Sequence, residues 1–290
     1  MTIIVIQNNN TGKIALITGC SSGFGLLTSV ELAREGFMVV SGMRNPEDKE
    51  ALMKASQIAG VESSIQVVAM DVRNEDQVQD VVNQIQNNYG RLDILINNAG
   101  VAVGGMIEEI PLSMWKEQME INFLGMVCVT QAVLPLMREG GGGRIIQMSS
   151  ISGNVGFPGY GPYASSKFAL EGFSECLAME VKPFGIDVIL VEPGAYGTPI
   201  WGKSFSQMSQ ASHSPYKGLL DRILQYSQRS AASSGNPLDV AQLIAKIATV
   251  QYPSFRYSLP RGTTVTMLAK QWLPDRWFHR IILKLLHRQG

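Results

Sequence analysis

A tyrosine and a lysine stand four residues apart in Tyr163-Ala164-Ser165-Ser166-Lys167, at the start of a helix-like run. That spacing puts both side chains on one helix face. A phenol titrates near ~10 and is a poor acid or base at neutral pH. A neighbouring ammonium favours the phenolate, so such a pair can move protons at working pH. The same spacing occurs in many surface helices, and by itself it carries little. Here it follows a strand ending in Ser149-Ser150 and, far upstream, a glycine-rich turn. The two serines point to opposite faces of their strand, so one of them can reach a substrate oxygen.

The glycine-rich turn is Thr18-Gly19-Cys20-Ser21-Ser22-Gly23-Phe24-Gly25. An apolar strand at 14–17 precedes it and a helix at 26–35 follows, with Gly36 as its C-cap. Glycines permit close backbone approach, and a helix N-terminus offers free N–H groups to a pyrophosphate. The spacing departs from the common G-x-G-x-x-G pattern, so the strand–turn–helix context carries the reading.

The elements that must position these groups alternate. Strand candidates fall at 14–17, 37–41, 65–70, 92–96, 144–148, 186–191 and 255–259. Helical segments fall at 26–35, 46–58, 75–89, 113–137, 163–182 and 237–250. This alternation predicts an α/β fold with a doubly wound parallel sheet of about seven strands, flanked by helices, in a single domain. Residues 1–12 read as an N-terminal extension or added edge strand, 13–260 as the nucleotide-binding domain, and 261–290 as a C-terminal amphipathic extension. Residues 196–235 break the rhythm, with Trp201, Phe205, Met208, Tyr216 and Tyr226 among serines and glutamines. Following a strand end, this stretch is expected to form a substrate lid.

Lysines plus arginines and aspartates plus glutamates number 24 each, which removes the electrostatic case for nucleic acid. Cys20, Cys128 and Cys176 have no metal or CxxC spacing, and His213, His279 and His287 are scattered, so no metal is expected. Sparse, odd cysteines suit a reducing compartment, and a cytoplasmic location is expected. Residues 1–10 lack a signal-peptide pattern, and no uninterrupted apolar stretch of membrane-spanning length is expected. The Asn9-Asn10-Thr11 sequon stands without other signs of secretion.

Together these motifs resemble the short-chain dehydrogenase/reductase family over about residues 13–259, and within it the 17β-hydroxysteroid and retinol dehydrogenase-like enzymes. The narrower likeness rests on residues 18–23, Met43-Arg44 and Ser166-Lys167-Phe168-Ala169-Leu170-Glu171-Gly172. The resemblance implies a Rossmann-like fold and assigns the glycine turn to the pyrophosphate. It also implies adenine contacts from Asp71-Val72, a post-strand turn at Asn97-Asn98-Ala99-Gly100, and nicotinamide contacts from Pro193-Gly194 and Thr198. Its spacing to the tyrosine selects Ser150, leaves Ser149 as a buried hydroxyl satisfied by backbone, and makes Ser152 the third choice. Asn122 falls at the place of the family's asparagine, expected to hold a water and the helix geometry that let protons reach Lys167. Lys167 would also bind the nicotinamide ribose, and the hydride would leave the B face. The family implies a homodimer or homotetramer through helices 113–137 and 163–182.

The expected reaction is reversible hydride transfer between a nicotinamide cofactor and a carbonyl or secondary alcohol, with Tyr163 as general acid/base. The second strand ends Val40-Ser41-Gly42-Met43-Arg44-Asn45, with an arginine where NAD enzymes carry a carboxylate. Arg44, helped by Ser21, suits a 2′-phosphate and predicts NADP(H) over NAD(H). The alternative is an Arg44 that stacks on adenine and tolerates both. Glu47 and Asp48 read as first-turn helix acids. Val155, Phe157, Tyr160 and the lid aromatics predict a hydrophobic substrate of the steroid, retinoid, fatty or aryl type. A nucleotide sensor or scaffold without turnover, or a membrane-docked lipid-binding module, are the rival classes. The intact Ser150/Tyr163/Lys167/Asn122 set speaks against an idle site.

In the tail, Trp277, Ile281 and Leu285 recur at i+4 beside Phe278, Ile282 and Leu286, opposite Arg276, Arg280, Lys284 and Arg288. Such a helix can cap its own fold, wall the substrate site, dock on a partner or lie on an anionic membrane. Core packing is the first expectation and membrane contact through 275–288 the second.

Overall fold

The computed structural model describes residues 12–202, 205–206, 213–232 and 235–287. The sequon, most of the N-terminal extension, Met208 and Arg288 lie outside these residues. The chain forms one domain around a seven-stranded parallel sheet in the order β3-β2-β1-β4-β5-β6-β7. The strands are β1 (Ile14–Thr18), β2 (Met38–Met43), β3 (Ile65–Ala69), β4 (Ile94–Asn97), β5 (Gly143–Met148), β6 (Ile186–Pro193) and β7 (Arg256–Leu259). The order reverses between β1 and β4, and a cleft opens beyond their carboxyl ends.

Alternation along each strand builds a core on both faces. Ala15, Ile17, Val39, Ile96, Ile146 and Ile189 face α1 (Gly23–Arg34) and α8 (Pro237–Thr249). Their neighbours Leu16, Val40, Leu95, Ile145 and Val188 face α3 (Glu75–Tyr89), α5 (Gly125–Glu139) and α6 (Gly161–Val181). Each fully buried Leu or Ile contributes about 1.5–3 kcal/mol relative to exposure.

Four elements differ from expectation. Helix α1 begins at Gly23, three residues early, because extended Ser22 serves as its N-cap and puts Gly23 and Gly25 in the first turn. The expected helix 46–58 splits into a 3₁₀ turn, Pro46–Lys49, and α2 (Glu50–Ala59), since Asp48 leaves helical geometry. The expected helix 113–137 is α4 (Leu112–Met119), a π-helical turn (Glu120–Leu124) and α5. This segment, Leu112–Glu139, is also long and apolar enough to cross a membrane by length and composition, against expectation. In the fold it covers the sheet, with Val129, Val133 and Met137 in the core. The lid stretch holds a 3₁₀ turn, Pro199–Trp201, and α7 (Lys217–Ala232).

The tail forms α9 (Arg261–Trp272) and α10 (Asp275–His287). One stripe of α10, Phe278, Ile282 and Leu286, is buried, with Phe278 and Ile282 clustered on Val155 beside Ile151 and Phe157. The tail therefore caps its own fold on the side of the segment between Ser150 and Tyr163.

At the head of the cleft the turn after β1 packs against the turn after β4. A Cβ on Gly25 would lie 2.3 Å from the Gly19 carbonyl oxygen and 2.5 Å from Asn98 Nδ2. Both neighbours are fixed, by main chain and by hydrogen bonds. Gly25→Ala is expected to destabilise the protein by about 1–3 kcal/mol, read as a lowered urea midpoint with unchanged slope.

Candidate active site

The carboxyl ends of the strands and the N-terminus of α1 line one cleft of about 450 Å³. At one end, no side chain caps the first turn of α1, so its N–H groups remain available to an anion. Gly19, Ser21, Ser22, Gly23 and Phe24 line this end, with Arg44 at its rim. Arg44 is exposed and makes no hydrogen bond or salt bridge among the described residues. Val72, Asn98, Ala99 and Gly100 line the floor, and Pro193, Gly194 and Thr198 the far wall. The uncapped helix, the glycine turn and the exposed guanidinium of Arg44 fit a dinucleotide.

Several residues expected to touch the cofactor also support the walls of the cleft. Thr18 is buried outside the lining, and its Oγ1 accepts from the N–H groups of Asn98 (3.0 Å) and Ala99 (2.9 Å). Gly25 also lies outside the lining, its close approach being to the protein's own backbone. Asn98 lines the cleft but spends its amide donor on the Thr18 (2.8 Å) and Gly19 (3.0 Å) carbonyls. Asn97 faces away, donating to Thr130 Oγ1 at 2.9 Å. Asp71 borders the cleft two residues past β3, but both its oxygens take Arg73, which holds its carboxyl below the usual range.

At the other end of the cleft, Ser150, Tyr163 and Lys167 converge, and all three are buried. Pro162 in the first turn of α6 starts the helix that carries Tyr163 and Lys167 on one face. Burial pushes the Tyr163 phenol up to about 12, against the downward pull of a hydrogen bond with Ser150. Lys167 Nζ stands 5.8 Å from the phenol ring centroid and donates to the Met148 carbonyl at 2.7 Å. Burial brings its ammonium down to about 8, against an upward pull from Glu171. The phenol thus stands raised by its own burial, where the lysine was expected to lower it.

Asn122 lies in the π-helical turn, outside the lining. Its Oδ1 accepts from Val101 N–H and its Nδ2 donates to Val101 C=O, both at 2.9 Å. Each end of the amide keeps one further hydrogen-bonding position, an N–H and a lone pair. Its side chain also holds Val101 at the floor of the cleft. Ser149 differs too: its Oγ donates to the Glu171 carboxylate, not to backbone. Cys20 is a packing residue, its thiol pushed up to about 12 by burial.

Three features escape sequence reasoning. Trp201 lies edge-on to Tyr163 (centroids 4.9 Å) and to Tyr160 (4.7 Å), and stacks on Phe205, so the lid closes directly over the phenol. Tyr160 in turn shares a hydrogen bond with Ser227 of α7. Asp48 lines the cleft near Arg44, where it was expected only as a helix acid, and accepts from Asn45 Nδ2 at 3.3 Å. Third, an ionic cluster lies behind Lys167. Arg256 of β7 bonds Glu171 of α6 and the fully buried Glu192 of β6. Glu192 also accepts from Asn154 (3.1 Å) and Ser258 (2.6 Å). Glu171 stood in the sequence one turn beyond Lys167, but nothing there marked Arg256 as its partner.

The chain matches the short chain dehydrogenase family over residues 13–209. It belongs to that family. An uncharacterised oxidoreductase of Bacillus subtilis, YusZ, is 43% identical over 277 residues, 94% of this chain and 98% of its own. The 3-ketodihydrosphingosine reductase of Bacteroides thetaiotaomicron is 37% identical, covering 91% and 94%. Human retinol dehydrogenase 8 is 35% identical, covering 94% and 91%. A short-chain dehydrogenase from Streptomyces avermitilis superposes with a TM-score of 0.77 at 29% identity, covering 96% of this chain and 98% of that one. A variant of actinorhodin polyketide ketoreductase with NADPH gives 0.76 at 29%, covering 89% and 99%. This short-chain dehydrogenase is therefore an oxidoreductase of CH–OH and carbonyl groups that uses a nicotinamide cofactor.

The cluster behind the lysine gives a stability test. Removing Arg256 strands Glu192 without its charge partner inside the protein. Arg256→Met is expected to cost about 3–5 kcal/mol in urea denaturation. A paired Glu192→Gln/Arg256→Met variant should recover part of that loss.

Proposed function

We propose that this enzyme reduces the carbonyl of a hydrophobic ketone, reversibly, with NADP(H). The observation that carries it is the convergence of Ser150, Tyr163 and Lys167 at one end of a cleft whose other end presents a helix N-terminus and Arg44. The first turn of α1, with Ser21 and Ser22, would hold the pyrophosphate, and Arg44 the 2′-phosphate. When bound, the cofactor supplies the hydride.

The chain's own residues do the rest. Tyr163, its phenol held protonated by burial, gives its proton to the substrate oxygen in reduction and receives one in oxidation. Ser150 Oγ, within reach of that phenol, orients the substrate oxygen and stabilises charge developing there. Lys167 supplies positive charge beside the phenol, favouring its anion after the proton leaves. Asn122 positions Val101 and the cleft floor. Trp201, backed edge-on by Tyr160, and Ile200 keep water from the reacting end and suit a long-chain or ring ketone. Relatives that act on 3-ketodihydrosphingosine and retinol support an apolar substrate. A homodimer through α5 and α6 is supported by exposed Leu124, Phe168 and Met179 on this segment pair.

One observation favours a second reading of the cofactor. Asp48 borders the cleft near Arg44, where a carboxylate suits a ribose 2′-hydroxyl and thus NAD(H). Its hydrogen bond from Asn45 and the exposed Arg44 favour NADP(H).

The test is oxidation of NADPH, followed by absorbance, against steroid, retinoid, fatty and aryl ketones, with NADH in parallel. NADPH is expected to give the higher kcat/KM, and Tyr163→Phe to lose about 10²–10⁴-fold while still binding NADPH. Equal or better efficiency with NADH overturns the cofactor assignment, and an active Tyr163→Phe overturns the role of the tyrosine.

The pH profile gives a separate check. Lys167 titrates low, so its cation is present below about pH 8 and lost above it. Reduction, which needs the phenolic proton and a stabilised phenolate, is expected to hold steady below that pH and fall as pH rises through it. Alcohol oxidation, which needs the Tyr163 phenolate beside the Lys167 cation, is expected to rise with pH below about 8 and to level off above it. A reduction rate that climbs through pH 8 would contradict this assignment.

A further inference from the structure

Helix α10 leaves a second apolar stripe outside. Phe278, Ile282 and Leu286 are buried, but Trp277 is 60% exposed, Ile281 42% and Leu285 40%. Trp272, at the end of α9, is 81% exposed, and Leu273 between the two helices is also exposed. A stripe needed only to close the fold would not carry this outer row. At 100° per residue the outer row sits beside the buried one, and Arg276, Arg280 and Lys284 follow on its other side. All three cations are exposed and form no salt bridge among the described residues.

We propose that this face docks the enzyme on an anionic lipid surface, with Trp272, Trp277, Ile281 and Leu285 in the headgroup–acyl boundary and Arg276, Arg280 and Lys284 against lipid phosphates. Charge decides the occupant. A second copy meeting this face antiparallel, about a two-fold axis perpendicular to the helix, would bring its three cations against these three, whereas an anionic bilayer supplies the opposite charge along the whole row. Tryptophan at the edge of a basic row matches the interface of a bilayer, where an apolar ring body and a polar N–H are both satisfied. Each cation adds about a fivefold gain in partitioning, so three carry about two orders of magnitude. The inner row of the same helix packs on Val155, in the segment between Ser150 and Tyr163, so docking would bring that segment of the fold to the lipid surface. The docking itself rests on the helix and not on the identity of the substrate.

Flotation of the full chain with vesicles tests this. Vesicles of equal parts phosphatidylglycerol and phosphatidylcholine are expected to carry the protein upward at low salt, and phosphatidylcholine alone to carry little. Raising salt should release it. Arg276→Glu/Arg280→Glu/Lys284→Glu is expected to lower binding about a hundredfold or more. Trp277→Ser/Ile281→Ser should lower it as well. Both variants should keep wild-type turnover of a water-soluble ketone, which reports an intact fold and keeps this result separate from the substrate assignment. A wild-type protein that stays at the bottom with anionic vesicles overturns the proposal. So does flotation unaffected by the charge reversals. Sedimentation showing that Trp277→Ser/Ile281→Ser splits a dimer, with no flotation of the wild type, would assign the face to a second copy instead.

Discussion

The arrangement of this protein turns on the burial of a single ammonium. Lys167 sits out of water with the Met148 carbonyl as its hydrogen-bond acceptor and no carboxylate in direct contact. An isolated charge there would be expensive, and its lowered pKa records that expense. Glu171 offsets it from one turn further along α6. But Glu171 is itself buried, so it needs Ser149 and Arg256, and Arg256 in turn serves Glu192. The demand for compensation passes from α6 to β5, β7 and β6. The edge strand β7, half-buried along its length, thus owes its place partly to an electrostatic chain that begins at the reacting centre.

The cleft floor has a parallel logic built from neutral groups. Side chains that the sequence presents as ligands turn inward to hold main chain: Thr18 to residues 98 and 99, Asn98 to residues 18 and 19, Asn122 to Val101. Loops at the ends of parallel strands have no ladder to satisfy their backbone groups, so side chains must do it. The backbone of these turns is thereby held in place beside the small residues Gly19, Gly23, Ala99 and Gly100 that line the cleft.

The sheet and its covering helices were legible because strand and helix periods alternate cleanly, and the buried strands read as continuous apolar runs. Helix breaks were not. The kink at Asp48 and the π turn at 120–124 come from local hydrogen-bond choices that apolar periodicity averages over. In the site, Tyr163 and Lys167 were legible because their spacing fixes them on one helix face, while the choice of Ser150 over its neighbour Ser149 came from the family resemblance. Arg256, 85 residues from Glu171, was not, since pairing across that separation depends on the register of β7 against β6. Trp201 stood out as an aromatic in the lid, but its place above Tyr163 depends on how residues 194–201 leave β6. Most groups at fixed short spacing could be read, and most long-range partners could not.

The π-helical turn has a mechanical consequence. One extra residue in a helical turn rotates everything after it by about 100° relative to a continuous α-helix. The segment Leu112–Glu139 is thereby two phases of one rod. Its first part, α4, meets α6, while its second, α5, turns its apolar row to α3 and the sheet. Gly125, at the splice, seats the rod against Val72 at the cleft floor. The rod works as a phase shifter, giving two layers of the fold a common axis without asking one stripe of side chains to face both.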